Sequence, residues 1–268
     1  MTFKEWYLDL SEKEYVQKIE TLIKNKSLKN IKETLIKAVE NRSKEPFALL
    51  FSGGLDSSLL ALICKKLGKK FTCYYIGTEN SKDLTFAREI AKNFKLNYEE
   101  RIISLEDLER VLEKVVKIVP KDVVNVELGI LFYLALEFVK EKNIMTGSGA
   151  EELFAGYARH KTSKNVLEDC IDDLKTIYRR DLIRTKAIIN NFKKEILTPF
   201  LDEELIQVAY SKKIEKDKLI LRKIAKELGL GKYADRSKVA GQYGSGIDKL
   251  INKLVKMRKL KFKKDLLK

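Results

Sequence analysis

The amino-terminal part of the chain carries hydrophobic residues at helical spacing. Between Tyr15 and Val39 they recur every three or four positions, with lysine and glutamate between them. This is the pattern of helices that bury one face. A polar break near residues 25–27 divides the pattern, so we predict two helices. We expect residues 1–45 to form a helical lead-in before a separate domain.

A different pattern begins at position 46, where short apolar runs alternate with helical stretches. The apolar runs at 47–51 and 71–76 predict strands, and further strands are predicted near 98–103 and at 143–146. The stretches at 59–67, 84–94, 105–118 and 128–140 predict helices. Continuous apolar runs are typical of strands buried on both faces, and the alternation favours an α/β fold with a doubly wound parallel sheet. From about position 164 the periodicity is helical throughout. We therefore predict one domain over 46–268, with the sheet in about 46–160 and a helical part in about 161–268.

Composition narrows the class of protein. The 268 residues are 44% hydrophobic and 35% charged, which is typical of a globular chain rather than a disordered one. The first 15 residues carry acids and an aromatic where a secretory signal would need an uninterrupted apolar core, and no run of about 18 apolar residues occurs. We therefore expect a cytoplasmic protein with no membrane partner. The three cysteines lack the spacing of a zinc site or a disulfide framework. A net charge of +15 suits either an anionic partner or a heat-adapted surface.

A glycine-rich loop follows the first predicted strand and carries the candidate chemistry. Its sequence is Ser52-Gly53-Gly54-Leu55-Asp56-Ser57-Ser58, and a predicted helix comes directly after it. Strand, glycine loop and helix together direct backbone N–H groups and the positive end of the helix towards an anion. A carboxylate beside a phosphate site implies a bridging cation, most simply Mg²⁺. The loop has neither the terminal Lys-Ser/Thr of a Walker A motif nor the G-x-G-x-x-G of dinucleotide sites.

This loop resembles the SGG-x-DS loop of the PP-loop ATP pyrophosphatases, the adenine nucleotide alpha hydrolase-like (HUP) superfamily. The stretch TGSGAEELFAGY at 146–157 is similar to the GxGxDELFGGY motif of asparagine synthetases and β-lactam synthetases. Other elements of that family follow in the same order, namely Asp181 with Arg184, Glu195, Pro199-Phe200-Leu201-Asp202, Lys218-Leu219-Ile220-Leu221-Arg222 and Arg236-Ser237-Lys238. The resemblance covers about residues 45–246 and implies the synthetase domain of this family.

The resemblance also implies ATP and Mg²⁺ as cofactors and assigns roles to individual residues. Asp56 and Glu151 would hold Mg²⁺ and are expected, with Lys238, to be the catalytic residues. Lys218 would bind phosphate, and Lys238 would stabilise negative charge that develops during the reaction. Leu50, Ile76 and Gly147 match positions of the adenine pocket. The full predicted set for ATP and pyrophosphate is Leu50, Ser52, Gly53, Gly54, Asp56, Ser57, Ser58, Ile76, Asp83, Thr146, Gly147 and Lys218.

Three departures from the family pattern bear on the substrates. Position 2 is threonine rather than cysteine and we see no glutaminase domain, so we expect nitrogen from free ammonia, another amine or a separate amidotransferase partner. Ser148 stands where relatives have an acid–base Glu or Tyr, and serine is a poor general base without a partner. Leu197 replaces the arginine before the PFLD element and so removes a bidentate donor. The identity of the carboxylate therefore stays open.

The leading functional hypothesis is an ATP-dependent, AMP-forming amide ligase. It would adenylate a small-molecule carboxylate, release pyrophosphate and transfer the acyl group to ammonia or an amine. Two alternatives remain. The basic tail could bind RNA, as in PP-loop enzymes that modify tRNA, although its lysines interleave with apolar residues at the spacing of an ordinary amphipathic helix. The chain could instead be a non-catalytic ATP-binding protein. Nothing in the sequence predicts an oligomeric state, and we expect the lone histidine, His160, to be structural.

Overall fold

A computed structural model of the chain describes residues 4–43, 46–237 and 240–267. Lys238, predicted to be catalytic, therefore lies outside the described residues. The strands are β1 Phe47–Leu50, β2 Phe71–Gly77, β3 Tyr98–Ile102, β4 Asn143–Met145 and β5 Glu195–Leu197. All paired strands run parallel, in the order β3-β2-β1-β4-β5.

Of the four helices predicted by position, those at 84 and 105 begin within two residues of the prediction, and those at 59 and 128 begin four and five residues earlier. Capping residues define many of the helix starts. Asn30, Ser81, Ser104 and Asp122, for example, accept hydrogen bonds from backbone N–H groups of the first turn that follows each of them. The helices are α1 Glu12–Lys24, α2 Ile31–Arg42, α3 Leu55–Lys66, α4 Lys82–Asn93, α5 Leu105–Ile118, α6 Val123–Phe138, α7 Ala150–Leu153, α8 Val166–Ile177, α9 Ile183–Phe192, α10 Glu203–Tyr210, α11 Leu219–Glu227, α12 Gly241–Gly244 and α13 Ile247–Met257.

Helices cover both faces of the sheet, which confirms the doubly wound α/β fold. Phe47 and Leu49 of β1 point into one core, formed with α1–α4, α8, α10 and α11. Ala48 and Leu50 point into the other core, formed with α5, α6, α9 and α13. Alternation of this kind follows from the two-residue period of a strand. None of the helices in the described ranges is long and apolar enough to cross a bilayer.

The expectation of helix throughout the carboxyl-terminal part is wrong at one place. Glu195–Leu197 forms β5, the edge strand of the sheet, and Ile196 pairs with Ile144 of β4. Three residues are too few to show a strand period against long helical neighbours. β5 is stabilised by its hydrogen bonds to the edge of β4, and the local sequence gives no sign of this pairing.

The amino-terminal segment packs on the same core as the sheet. Tyr15 and Ile19 of α1 and Val39 of α2 are fully buried there. The Arg42 guanidinium at the end of α2 donates to the buried Glu5 carboxylate at 2.8 Å and to Asp202 at 2.7 Å. Glu5 also accepts the backbone N–H of Thr198, just after β5, at 2.6 Å. Buried charges in pairs of this kind connect the start of the chain to its carboxyl-terminal part.

The strand order places a switch point between β1 and β4. Connections from these neighbouring strands leave towards opposite edges of the sheet, because β2 lies beside β1 and β5 lies beside β4. In open α/β sheets the crevice at such a point, at the carboxyl ends of the strands, is where ligands bind. The loop at 52–54 follows β1 and the loop at 146–149 follows β4. The two loops with the strongest motifs therefore meet at one crevice.

Candidate functional site

The glycine loop turns directly from β1 into α3. Gly54 is the N-cap of α3 and no side chain caps this helix, so its first backbone N–H groups face the crevice. Gly53 has φ +63°, and a Cβ at this position would lie 2.6 Å from the backbone N of Ala87. Only glycine accepts both this conformation and this approach without strain. The Ser57 hydroxyl donates to the Gly54 carbonyl at 3.3 Å and so stiffens the turn.

A buried lysine joins the two predicted acids. Lys218 Nζ donates to Asp56 Oδ2 at 2.5 Å and to Glu151 Oε1 at 2.6 Å, and the Lys218 residue is only 4% exposed. Burial alone would lower the pKa of Lys218, but the charges of Asp56 and Glu151 outweigh it and hold the pKa above its ordinary value. The lysine is therefore a fixed cation between two carboxylates. We call Lys218, Asp56 and Glu151 together the Lys218 triad.

Backbone contacts hold the triad in place. The N–H groups of Asp217 and Lys218 donate to the carbonyls of Ala155 and Phe154, just beyond α7. Both Asp217 and Lys218 have left-handed backbone conformations, with φ of 59° and 56°. Such conformations are costly outside glycine and cluster at functional sites, where the surrounding structure enforces them. The segments that carry Glu151 and Lys218 are in this way held together.

Arg222 secures the far side of the same site. Its guanidinium donates to the carbonyls of Asp217, Ala234 and Arg236 at 2.8, 2.6 and 3.0 Å. The planar guanidinium thereby holds the loop before α11 against the segment that follows α11. The sequence places Arg222 in a family element without a role, and the structure assigns it to positioning Lys218 and Arg236.

Gly156 allows the triad to close, and its replacement is a direct test. A Cβ at Gly156 would collide with the Glu151 carboxylate and with Cε of Lys218. We expect Gly156→Ala to cost about 1–3 kcal/mol of unfolding free energy, because the side chains must move to admit the methyl group. ATP affinity is expected to fall with it. Urea unfolding and calorimetric titration with ATP measure the two effects.

Gly68→Ala is the control for Gly156→Ala. Gly68 has φ +65° with open space around its Cα, so the methyl group adds backbone strain and no collision. This variant is expected to lose stability and keep its ATP affinity. An equal loss of ATP affinity in both variants would contradict the role given to Gly156.

A second ion pair closes the crevice on the other side and includes Arg236, to which the sequence gives no role. Arg236 donates to the Asp83 carboxylate and, at 3.2 Å, to the Ser52 carbonyl of the glycine loop. Its guanidinium lies 4.0 Å from the ring centroid of Phe86. Burial raises the pKa of Asp83, and Arg236 offsets part of that shift. Arg236 belongs to one of the family elements named above. Its partner Asp83 is 153 residues away along the chain, so no local sequence pattern predicts their contact.

Two adjoining cavities occupy the crevice. One, of 230 Å³, is polar and is lined by the Lys218 triad, the glycine loop and Arg236. The other, of 270 Å³, is mainly apolar and is lined by Leu50, Ile76, Thr146 and residues of α6. Ser52, Asp83 and Gly241 line both. The described lining of the polar cavity has four acids and three bases, so several negative charges fit there only together with a bridging cation. An elongated ligand with an apolar ring system at one end and cation-bound phosphates at the other fits this pair of cavities.

The remaining predicted residues lie around these cavities in different ways. Gly147 packs against Asp56, whose Cβ would be 3.1 Å from a Cβ on the glycine. Ser58 is 1% exposed, lines neither cavity and has no hydrogen-bond partner for its hydroxyl among the described residues. Ser148 lines the apolar cavity and accepts a hydrogen bond from Thr146 at 3.1 Å. Leu197 is buried in the core that contains Phe47 and Leu49, on the other face of the sheet, while its neighbour Ile196 lines the apolar cavity.

His160 belongs to a buried structural cluster. It is fully buried, its Nε2 lies 2.7 Å from Asp173 Oδ2, and its ring packs edge-on against Tyr157. The residue lines neither cavity. These contacts agree with the structural role expected for it.

The acids of the Lys218 triad are of the right type to bind Mg²⁺. Asp56 and Glu151 offer carboxylate oxygens that already converge on one cation. Within the described ranges, no group of three or more His, Cys, Asp or Glu residues could hold a metal ion by itself. Mg²⁺ commonly binds one or two carboxylates and completes its octahedron with phosphate and water oxygens. The donor set therefore fits Mg²⁺ delivered with a nucleotide.

A parallel doubly wound sheet with this loop at its switch point defines an α/β protein of the PP-loop class. A family model described as "Asparagine synthase" matches residues 30–169, about half of the chain. The chain belongs to the asparagine synthase family.

Named relatives agree with this assignment. The chain is 30% identical to the "Putative asparagine synthetase [glutamine-hydrolyzing] 1" of Methanocaldococcus jannaschii, over 94% of this chain and 57% of that protein. It is 32% identical to the asparagine synthetase of Gallus gallus over 65% of this chain and 34% of that protein. The chain thus spans between one third and three fifths of the length of these relatives.

Two solved structures are also similar in part. One is NMN synthetase from Francisella tularensis, with a TM-score of 0.35 and 16% identity over 95% of this chain and 98% of that chain. The other is a predicted subunit of tRNA methyltransferase from Methanocaldococcus jannaschii, with a TM-score of 0.34 and 19% identity over 69% of this chain and 88% of that chain. Neither similarity bears on function.

Proposed function

We propose that the chain is an ATP-dependent, AMP-forming amide ligase. The observation that carries the proposal is the Lys218 triad, a buried lysine bound to two carboxylates at the mouth of a glycine loop. Membership of the asparagine synthase family supports the same reaction class. A polar cavity and an apolar cavity meet at this point, as a nucleotide requires.

In this proposal ATP lies across both cavities. The adenine ring occupies the apolar cavity against Leu50 and Ile76, and the triphosphate lies on the N–H groups at the start of α3. Lys218 and Arg236 supply positive charge where pyrophosphate departs. When bound, Mg²⁺ held by Asp56 and Glu151 would neutralise further negative charge on the phosphates.

The reaction then proceeds by two displacements. An oxygen of the substrate carboxylate attacks the α-phosphorus, the bond to the β,γ-diphosphate breaks, and an acyl-adenylate and pyrophosphate form. The nitrogen of ammonia or an amine next attacks the acyl carbon, the bond to AMP breaks, and the nitrogen loses a proton. The protein contributes the orientation of both reactants and the fixed charges around the leaving group. Lys238 remains our prediction for the residue that stabilises negative charge as it develops at the reacting centre.

The nitrogen source is part of the proposal. Ser148 lies beside Thr146 with a hydrogen bond between their hydroxyls, so this pair can position an incoming amine but is a weak base. We propose ammonia or an amine that arrives free or from a separate amidotransferase partner. The relatives named above are described as glutamine-hydrolyzing, and that description applies to those proteins.

An isotope-exchange assay tests the proposed function. The purified protein with ATP, Mg²⁺ and labelled pyrophosphate is expected to exchange label into ATP only when a suitable carboxylic acid is added from a pool. With an amine present it is expected to produce AMP and an amide. Formation of ADP would contradict the proposal. AMP formation that requires tRNA would favour the RNA-modifying alternative, and ATP binding without AMP formation would favour a non-catalytic role.

A further inference from the structure

The apolar cavity is longer than an adenine ring needs. It reaches from Ile76 on β2, past Leu50 on β1 and Thr146 after β4, to Ile196 on β5. Adjacent strands in a sheet lie about 4.8 Å apart, so three spacings separate its two ends by about 14 Å. If adenine lies against Leu50 and Ile76, as we propose above, the end at β4 and β5 is left for the second substrate.

Apolar side chains dominate the walls of this cavity. Leu128, Leu131, Phe132 and Ala135 all line it, and their spacing of three and four places them on one face of α6. Ile196 closes the end at β5, with Thr185 of α9 beside it. We call the part of the cavity formed by the α6 face, Thr185, Arg184 and Ile196 the acyl pocket.

The charged side chains of this cavity already have partners. Among the described residues, Asp83 and Arg184 are the only charged side chains that line the apolar cavity. Asp83 is bound by Arg236. Arg184 donates to Asp181 and Asn125, both at 2.8 Å, directly after the π-helical turn at Tyr178–Leu182. A second carboxylate on the substrate would have to compete with Asp181 for Arg184, and an ammonium group would meet no carboxylate in the acyl pocket. Either charge is therefore costly to bury there.

We propose that the acid adenylated here is a monocarboxylic acid with an apolar body, which binds in the acyl pocket. The inference rests on the proposed function, because the reacting carboxylate must face the α-phosphate of ATP. The acyl pocket differs from the pocket that aspartate would need, because aspartate carries both an ammonium group and a second carboxylate. Leu197, which replaces the arginine of the family pattern, is buried in the other core and adds no cation to this pocket.

Stable mimics of acyl-adenylates test the pocket without requiring turnover. The probes are 5′-O-sulfamoyladenosines that carry a hexanoyl, an acetyl or an aspartyl group, titrated calorimetrically. The hexanoyl compound is expected to bind at least about tenfold more tightly than each of the others, since even one methylene in an apolar pocket is worth roughly 10-fold or more. Equal affinities, or tighter binding of the aspartyl compound, would overturn the inference.

Two lysine substitutions on α6 sharpen the test. Leu131→Lys places a cation in the acyl pocket and is expected to lower the affinity for the hexanoyl compound at least tenfold and to remove the preference over the aspartyl one. Val124→Lys is the control, because Val124 lies on the same helix, is 46% exposed and does not line the cavity. A similar loss in both variants would overturn the assignment. Thermal melting of both proteins shows that each is folded.

Exchange assays with hexanoate and with aspartate separate the two proposals. Exchange with hexanoate supports both of them. Exchange with aspartate alone overturns the pocket and leaves the ligase activity intact. Tight binding of the hexanoyl compound with no exchange for any acid supports the pocket and contradicts the ligase.

Discussion

Replacing Lys218 by methionine is expected to destabilise the protein by about 3–5 kcal/mol and to remove its ATP-dependent activity. Methionine is unbranched like lysine and one heavy atom shorter, and it removes the cation, so Asp56 and Glu151 face each other without the charge that holds them together. Loss of a fixed positive charge beside the leaving group is worth a further factor of about 10²–10³ in rate. Urea unfolding and the pyrophosphate exchange assay measure the two effects.

The pH dependence of stability gives an independent check on the Lys218 triad. The pKa of Lys218 is raised in the folded protein, so its stabilisation is complete below the unfolded-state pKa of about 10.4 and is lost as pH rises through the higher folded value. The difference in stability between wild type and Lys218→Met is therefore expected to be constant near neutral pH and to shrink only under strongly alkaline conditions. A difference that vanishes below pH 9 would contradict this origin.

Lys249→Met is the matched control for Lys218→Met. Lys249 is exposed on α13, and it lines neither of the two cavities. This variant is expected to behave like the wild type in both measurements. If Mg²⁺ restores stability to Lys218→Met and leaves Lys249→Met unchanged, the two carboxylates can share a metal ion in place of the ammonium.

The second large effect is expected for Asp56→Asn, which should lower the rate of pyrophosphate exchange by about three orders of magnitude. Asparagine has nearly the same shape, but it carries no charge and is a weaker ligand for Mg²⁺. A metal ion contributes several kcal/mol to stabilising charge on phosphate oxygens, and each 1.36 kcal/mol is a factor of ten in rate. The fold should survive, because Lys218 keeps its contact with Glu151.

Asp172→Asn provides the comparison for Asp56→Asn. Asp172 is exposed on α8 and lines neither cavity, so the same chemical change there should leave exchange unaltered. A rate for Asp56→Asn within tenfold of the wild type would falsify the role of this carboxylate in holding the metal ion. Measuring exchange at several Mg²⁺ concentrations shows whether weaker metal binding causes the loss.

The parts of the fold with a strong local pattern could be predicted from the sequence. β1, β2 and the helices that follow them combine a continuous apolar run with a helical repeat, and the structure confirms each. β5 could not be predicted, because its three residues gain their hydrogen bonds from β4 rather than from any property of their own. The late helices dominate the pattern around it.

The candidate site could also be predicted only in part from the sequence. Asp56, Glu151 and Lys218 stand in recognisable motifs, although Lys218 is 162 residues from Asp56 along the chain, and the structure brings the three together. The contact of Arg236 with Asp83 and the bracing by Arg222 depend on how distant segments pack, and neither leaves a periodic trace in the sequence. Apart from Asp83, all of these residues stand in family motifs, but the motifs give no role to Arg222 or Arg236, whose roles depend on long-range contacts.

The position of β5 also decides which fragments of this chain can be made. A fragment limited to the 30–169 match would contain β1 to β4 and both acids, yet it would leave the inner strand β4 with an open edge and the partly buried Asp56 and Glu151 without Lys218. Open strand edges promote aggregation, and two neighbouring carboxylates without a cation repel each other. A truncated version for structural work or for splitting the protein in two must retain the chain at least through α11.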